Sequence, residues 1–114
     1  MLVRIPTLPG MRAAALDALN RYIDDLDQEP GTEAFLVCVD PADDDVVWLY
    51  EWFRDENALE RHRSAPLFHR LMTELPGLVD DQHVDVVAGH VVAGEEPPGR
   101  RHQVVHTRRA GIVV

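Results

Sequence analysis

Lysine is missing from this 114-residue chain: all 11 of its basic residues are arginine. That absence removes Schiff-base chemistry and every phosphate loop built around a lysine, which excludes pyridoxal-phosphate enzymes and P-loop NTPases. Cysteine is nearly missing too. With Cys38 alone, no intramolecular disulfide can form and no cysteine cage for zinc can be assembled, so a reducing compartment fits best. Positive charge is scarce: 20 acidic residues leave a net charge of −9, the wrong sign for neutralising nucleic-acid phosphates or an anionic lipid surface. No apolar run approaches the roughly 18 residues of a membrane helix, and Met1-Leu2-Val3-Arg4-Ile5-Pro6 lacks the apolar stretch of a signal peptide. The expectation is a cytoplasmic protein with neither nucleic acid nor membrane as a partner.

What is present is ordinary for a folded domain: 46% hydrophobic and 27% charged residues, in a length that holds one core. Leu2 to Ile5 reads as a first strand closed by Pro6. After Pro9-Gly10, the apolar residues Ala15, Leu16, Leu19, Tyr22, Ile23 and Leu26 recur at helical spacing, and Glu29-Pro30-Gly31-Thr32 stops the helix. Residues 33–39 and 46–53 are rich in β-branched and aromatic residues, and the Asp40-Pro41-Ala42-Asp43-Asp44-Asp45 turn between them predicts an antiparallel hairpin. Asp55 caps a helix carrying Ala58, Leu59 and His62. Pro66 starts another with Leu67, Phe68, Leu71, Met72 and Leu75, and Pro76-Gly77 ends it. His83 to Val92 reads as one last long strand. The order is βαββαβ, a ferredoxin-like α+β layout with an antiparallel sheet.

Residues 1–93 form this domain, with 7 arginines against 18 acids; residues 94–114 form an extension with 4 arginines against 2 acids. Opposite charge draws the extension to the body, and its Val104-Val105 and Ile112-Val113-Val114 are apolar enough to dock there or on a partner subunit. Along the third strand Trp48, Tyr50 and Trp52 share one face, while Val47, Leu49, Glu51 and Phe53 share the other. One face meets the helices and the other needs a cover. The three aromatics therefore read as dimer core or as a platform for a flat ligand. Glu51, on the less polar face, must be paired or have its pKa raised.

Five words of the sequence, in order, resemble the antibiotic biosynthesis monooxygenase domain family, which includes quinol and anthrone oxygenases. They are Leu8-Pro9-Gly10, Glu29-Pro30-Gly31-Thr32, Tyr50-Glu51-Trp52-Phe53, Ala58-Leu59 with His62, and Ala65-Pro66-Leu67-Phe68, spanning residues 1 to about 75. The resemblance implies a dimeric α/β barrel and cofactor-free oxygenation, in which a base deprotonates an electron-rich quinol, phenol or polyketide-like aromatic and dioxygen attacks the anion. Haem degradation is disfavoured, because the first strand has no asparagine and the helices no tryptophan.

The residues that fit such chemistry are His62 as base, since imidazole titrates near working pH, and Glu51 as the carboxylate that orients it. The plainer reading leaves His62 a partly exposed helix residue and Glu51 the partner of an arginine. Trp48, Tyr50, Trp52, Phe53 and Phe68 are the candidate substrate contacts. No cofactor or metal is expected: His62 and His69 are separated by the Ser64-Ala65-Pro66 break, His102 and His106 lack a third ligand, and His83 and His90 point to opposite faces of a regular strand. Cys38 reads as a small buried hydrophobe. A non-catalytic binding or accessory dimer, and an oxygen-independent cyclase or isomerase, remain open alternatives on the same fold.

Overall fold

The computed structural model describes residues 1–88, 91–92 and 112–113. Its first strand β1 (Leu2–Pro6) leads through Pro9-Gly10 into helix α1 (Arg12–Asp24), and Gly10 takes the left-handed conformation (φ 77°) that the turn requires. The buried stripe of α1 is Ala15, Ala18, Leu19, Tyr22 and Ile23, the i, i+3, i+4, i+7 pattern of one helical face. A 3₁₀ turn (Leu26–Gln28) follows, then the hairpin of β2 (Thr32–Val39) and β3 (Val46–Phe53). Its turn is held by Asp40, whose Oδ1 accepts the backbone N–H groups of Ala42 and Asp43. The other oxygen of Asp40 takes the indole N–H of Trp48 at 2.9 Å.

Helix α2 (Glu56–Ser64) opens on the Asp55 carboxylate, which accepts the Ala58 N–H at 2.7 Å. Ala65 ends α2 in an extended conformation, as a residue before proline prefers, and Pro66 sits in the first turn of α3 (Pro66–Glu74). The chain returns through Gly77 (φ 92°) and a second 3₁₀ turn (Asp81–His83) to β4 (Asp85–Ala88). Here the structure corrects the expected long strand from His83. Asp80 closes a turn on His83, accepting its backbone N–H at 3.1 Å on the main chain and pairing with Nδ1 at 2.8 Å, so extended structure begins only at Asp85.

The antiparallel sheet has the order β4-β1-β3-β2, the ferredoxin-like arrangement. Two short parallel pairings add to it. Val91–Val92 (β5) lies beside Trp52–Phe53, where β3 outruns β1, and Ile112–Val113 (β6) lies beside Val37–Cys38. The rest of the 94–114 extension, with its histidines, and His90 lie outside the described residues.

Helices α1 and α3 cover one sheet face. Val3, Ile5, Phe35, Val37, Val47 and Leu49 point into them, against Leu19, Tyr22, Leu26, Leu67, Leu71 and Leu75. The Val47-Leu49-Glu51 side of β3 is thus the helix side. Trp48, Tyr50 and Trp52 stand on the other, where Trp52 and Ala34 are buried with Tyr50 packed on them. Among the described residues no helix is long and apolar enough to cross a membrane.

Candidate functional site

Strand alternation delivers Glu51 to the helix side of the sheet, and α2 delivers His62 one turn beyond its packing residue Ala58. Helix α1 contributes Tyr22 from its buried stripe. Glu29, just past the 3₁₀ turn, is carried under α2 because Gly31 lets the chain run close to that helix. A Cβ on Gly31 would stand 2.6 Å from the Ala58 Cβ, so glycine is required here for space rather than for its backbone angles. All four side chains are buried, with His62 only 3% exposed. This excludes the reading of His62 as a partly exposed helix residue.

Their hydrogen bonds fix the imidazole. The Tyr22 hydroxyl donates to Glu29 Oε2 at 2.8 Å, while His62 Nδ1 lies 2.8 Å from Glu29 Oε1 and 2.9 Å from the Tyr22 oxygen. A phenol has one proton, and Tyr22 spends it on Glu29. Its contact with Nδ1 is therefore one in which tyrosine accepts, and Nδ1 carries the hydrogen. Nε2 is left facing Glu51 Oε1 at 3.5 Å. Phe53 and Phe68 pack against the ring at tilted angles, with centroids 4.9 and 4.6 Å away.

Burial raises the pKa of the Glu51 carboxyl above the ordinary value, against the attraction of His62. Burial, reinforced by the Glu29 charge, pushes the Tyr22 phenol upward as well, so it remains a donor. Sequence required Glu51 to be paired or to have its pKa raised; it faces His62 at 3.5 Å and its pKa is raised, with the Met1 ammonium and Arg63 also acting on its charge.

Glu51 and His62 form one end of a cavity of about 390 Å³ between the sheet and the helices. Its walls are apolar, among them Val3, Ile5, Phe35, Leu49, Leu71 and Val79, and Phe68 joins them beside the imidazole. Arg63, Asp81 and the partly buried ammonium of Met1, which acts on Glu51, are the other charged groups on its lining. A space of this size, with a few polar groups at one end of an apolar shell, suits a small flat ligand. His62 also lines a second cavity of about 230 Å³, together with Gln28, Glu29, Pro30, Gly31, Thr32, Ala58, Arg61 and Ala65.

Of the residues singled out from sequence, the structure brings Glu51, His62 and Phe68 together on the larger cavity. Phe53 packs behind them with Ala58 and Leu59. Trp48, Tyr50 and Trp52 do not line it, because alternation puts them on the opposite sheet face. Cys38 is half-buried, and burial raises its thiol pKa. Sequence reasoning missed Tyr22, read as core, and Glu29, read as a helix stop; a glutamate beside Pro-Gly between two apolar elements was the available signal. Among the described residues no group of three or more side chains is placed to hold a metal ion.

The fold has solved relatives. A Pseudomonas aeruginosa protein, PA3566, is 26% identical and superposes with a TM-score of 0.64 over 74% of this chain and 83% of its own. A structure described as an antibiotic biosynthesis monooxygenase is 25% identical, with a TM-score of 0.62 over 81% of this chain and 99% of its own. Rv0793 from Mycobacterium tuberculosis, 24% identical with a TM-score of 0.63 over 81% and 94% of the two chains, shares the fold. No curated protein matches the sequence. The family model of antibiotic biosynthesis monooxygenases matches residues 1–74, the stretch that carries Tyr22, Glu29, Glu51 and His62, and the chain belongs to that family.

Proposed function

We propose that this protein is a cofactor-independent monooxygenase acting on a quinol, phenol or polyketide-like aromatic bound in the larger cavity. The observation that carries the reading is the buried pair of His62 Nε2 and Glu51 at the closed end of an apolar cavity, with Nδ1 locked by Glu29 and Tyr22. A hydroxyl directed at that end gives its proton to Nε2, and the imidazolium is stabilised through Nδ1–H by Glu29. The electron-rich ring then reduces dioxygen. One oxygen atom enters the ring as a carbonyl, two hydrogens leave, and they depart with the other oxygen as water. Apolar walls keep the anion from being reprotonated by solvent.

The working assembly is a cytoplasmic homodimer whose sheets pack face to face into a barrel. The half-exposed Trp48 and Tyr50, and the exposed Val87 (52%), support a covered outer face. A stable monomer of about 13 kDa by light scattering would refute it. The 94–114 extension docks on the body or on the partner, and its removal then lowers the melting temperature.

Oxygen consumption with a panel of naphthols, hydroquinones and anthrones tests the function. One dioxygen consumed per product, and none under nitrogen, is expected. Turnover under nitrogen would favour the cyclase or isomerase reading, which a Glu51 carboxyl of raised proton affinity beside Nε2 also suits. Binding without turnover would leave an accessory module.

A further inference from the structure

The rim of the larger cavity bears a charge that the proposed reaction does not use. Arg63 follows His62 on α2 and lines the cavity with its side chain 53% exposed, so its guanidinium reaches solvent while Glu51 and His62 are buried. Its only ion-pair partner among the described residues is Glu60, at 4.0 Å and itself 73% exposed. Other arginines are better engaged: Arg21 meets Glu74 at 3.0 Å, Arg70 meets Asp25 at 3.0 Å, and Arg54 meets Glu33 at 3.7 Å. A loose pair of this kind contributes little, and Arg63 can exchange it for a better anion at small cost.

A cavity with a buried proton acceptor, apolar walls, and a planar cation that reaches solvent describes a ligand with three matching parts. We infer that the substrate is an aromatic hydroxy acid, with its hydroxyl toward Glu51 and His62 and a carboxylate held by the Arg63 guanidinium. This deepens the proposed function and rests on the cavity being the substrate site. The fork of donors on arginine fits a carboxylate with two parallel hydrogen bonds, and the arrangement orients the ring system. The local cation matters because the chain as a whole carries a net charge of −9 and repels anions. Asp81, exposed on the same rim, opposes the carboxylate and sets a limit on the preference.

The test measures binding of 2-naphthol and 6-hydroxy-2-naphthoate by fluorescence, at low salt and neutral pH, to the wild type, Arg63→Gln and Asp81→Asn. The wild type is expected to prefer the carboxylate by about 5- to 10-fold, the size of a partly exposed charged hydrogen bond. Arg63→Gln should abolish that preference while leaving 2-naphthol affinity within about twofold, and Asp81→Asn should enlarge it. Equal wild-type affinity for both ligands, or a preference that survives in Arg63→Gln, overturns the inference but leaves the cavity as an aromatic site. Failure of the wild type to bind either ligand overturns the site itself, and this inference with it.

Discussion

Glu29→Gln is an isosteric change with two incompatible ways of settling, and the hydrogen bonds around Tyr22 decide between them. If the amide oxygen faces His62 Nδ1, the amide nitrogen faces the Tyr22 hydroxyl. The phenol then has no acceptor for its proton as long as Nδ1 keeps its hydrogen, and a buried orphan donor costs about 1–3 kcal/mol. If the amide flips, its oxygen takes the Tyr22 proton and its nitrogen donates to Nδ1. Both amide groups and the phenol proton are satisfied, and Nε2 now carries the hydrogen and can point it at Glu51; the Tyr22 oxygen and Nδ1, 2.9 Å apart, become two facing acceptors and move apart. The Thr32 hydroxyl, 3.4 Å from Glu29 Oε1, rotates to accept. The flipped state wins, because moving a proton between the nitrogens of a neutral ring costs less than orphaning a phenol. Glu29→Gln should therefore fold with a modest loss of stability, since the buried Thr32 hydroxyl loses its acceptor, and hold the wrong tautomer, lowering turnover by about 10²–10⁴. Tyr22→Phe added to it removes the donor that forced the flip. The double variant should regain Nδ1–H and be more active than Glu29→Gln alone, a coupling of opposite sign to additivity. Ring ¹⁵N shifts of labelled histidine, with His62 assigned through a His62→Gln control, report the tautomer while oxygen uptake reports the rate. A double variant no more active than the single, or an Nδ1–H signal persisting in Glu29→Gln, would refute the reasoning.

His62→Ala should lower turnover by about 10²–10⁴ with the fold intact by circular dichroism, and normal turnover on a confirmed substrate would eliminate it as the base. Glu51→Gln should change the pH dependence of stability. The Glu51 pKa is raised in the folded state above the usual 4.5, so the folded chain binds more protons than the unfolded one above that pH and loses stability as pH rises toward the folded value. The melting temperature of the variant should gain on the wild type from about pH 4.5 upward and match its trend below; parallel profiles would mean that the carboxyl is not shifted. Gly31→Ala drives a methyl to 2.6 Å from the Ala58 Cβ, an overpacking worth about 1–3 kcal/mol that lifts α2 and stretches the His62–Glu29 bond. Adding Ala58→Gly should restore turnover more than stability, since glycine inside a helix costs about 1 kcal/mol; a single variant as stable and active as wild type would show that α2 is not seated by this contact.

Local chemistry made most of the fold legible. β3 runs over 46–53 as its aromatic and β-branched run predicts, Asp55 caps α2, and Pro66 opens α3, because each depends on residues a few positions away. Alternation separated Trp48, Tyr50 and Trp52 from Leu49 and Glu51, yet it could not say which set meets the helices; that choice is made by α1 and α3 packing over Val47 and Leu49. The strand expected from His83 failed because valine content outweighed the Asp80–His83 turn. His62 and Glu51 were nominated by residue type and resemblance. Glu29 was not, since its partner stands 33 positions away and only the seating of α2 on Gly31 brings them together.

His62 is shared by two cavities. It lines both the ligand cavity of about 390 Å³ and the 230 Å³ cavity, and among the described residues no other lines both. Taking the imidazole away should enlarge the space on each side, with Glu29 still lining the smaller one. A small azole supplied in solution would then have its own door, entering past Gln28, Pro30 and Arg61 while the aromatic ligand holds the front. A base admitted that way should rescue the His62→Ala variant without competing with the aromatic ligand for one mouth.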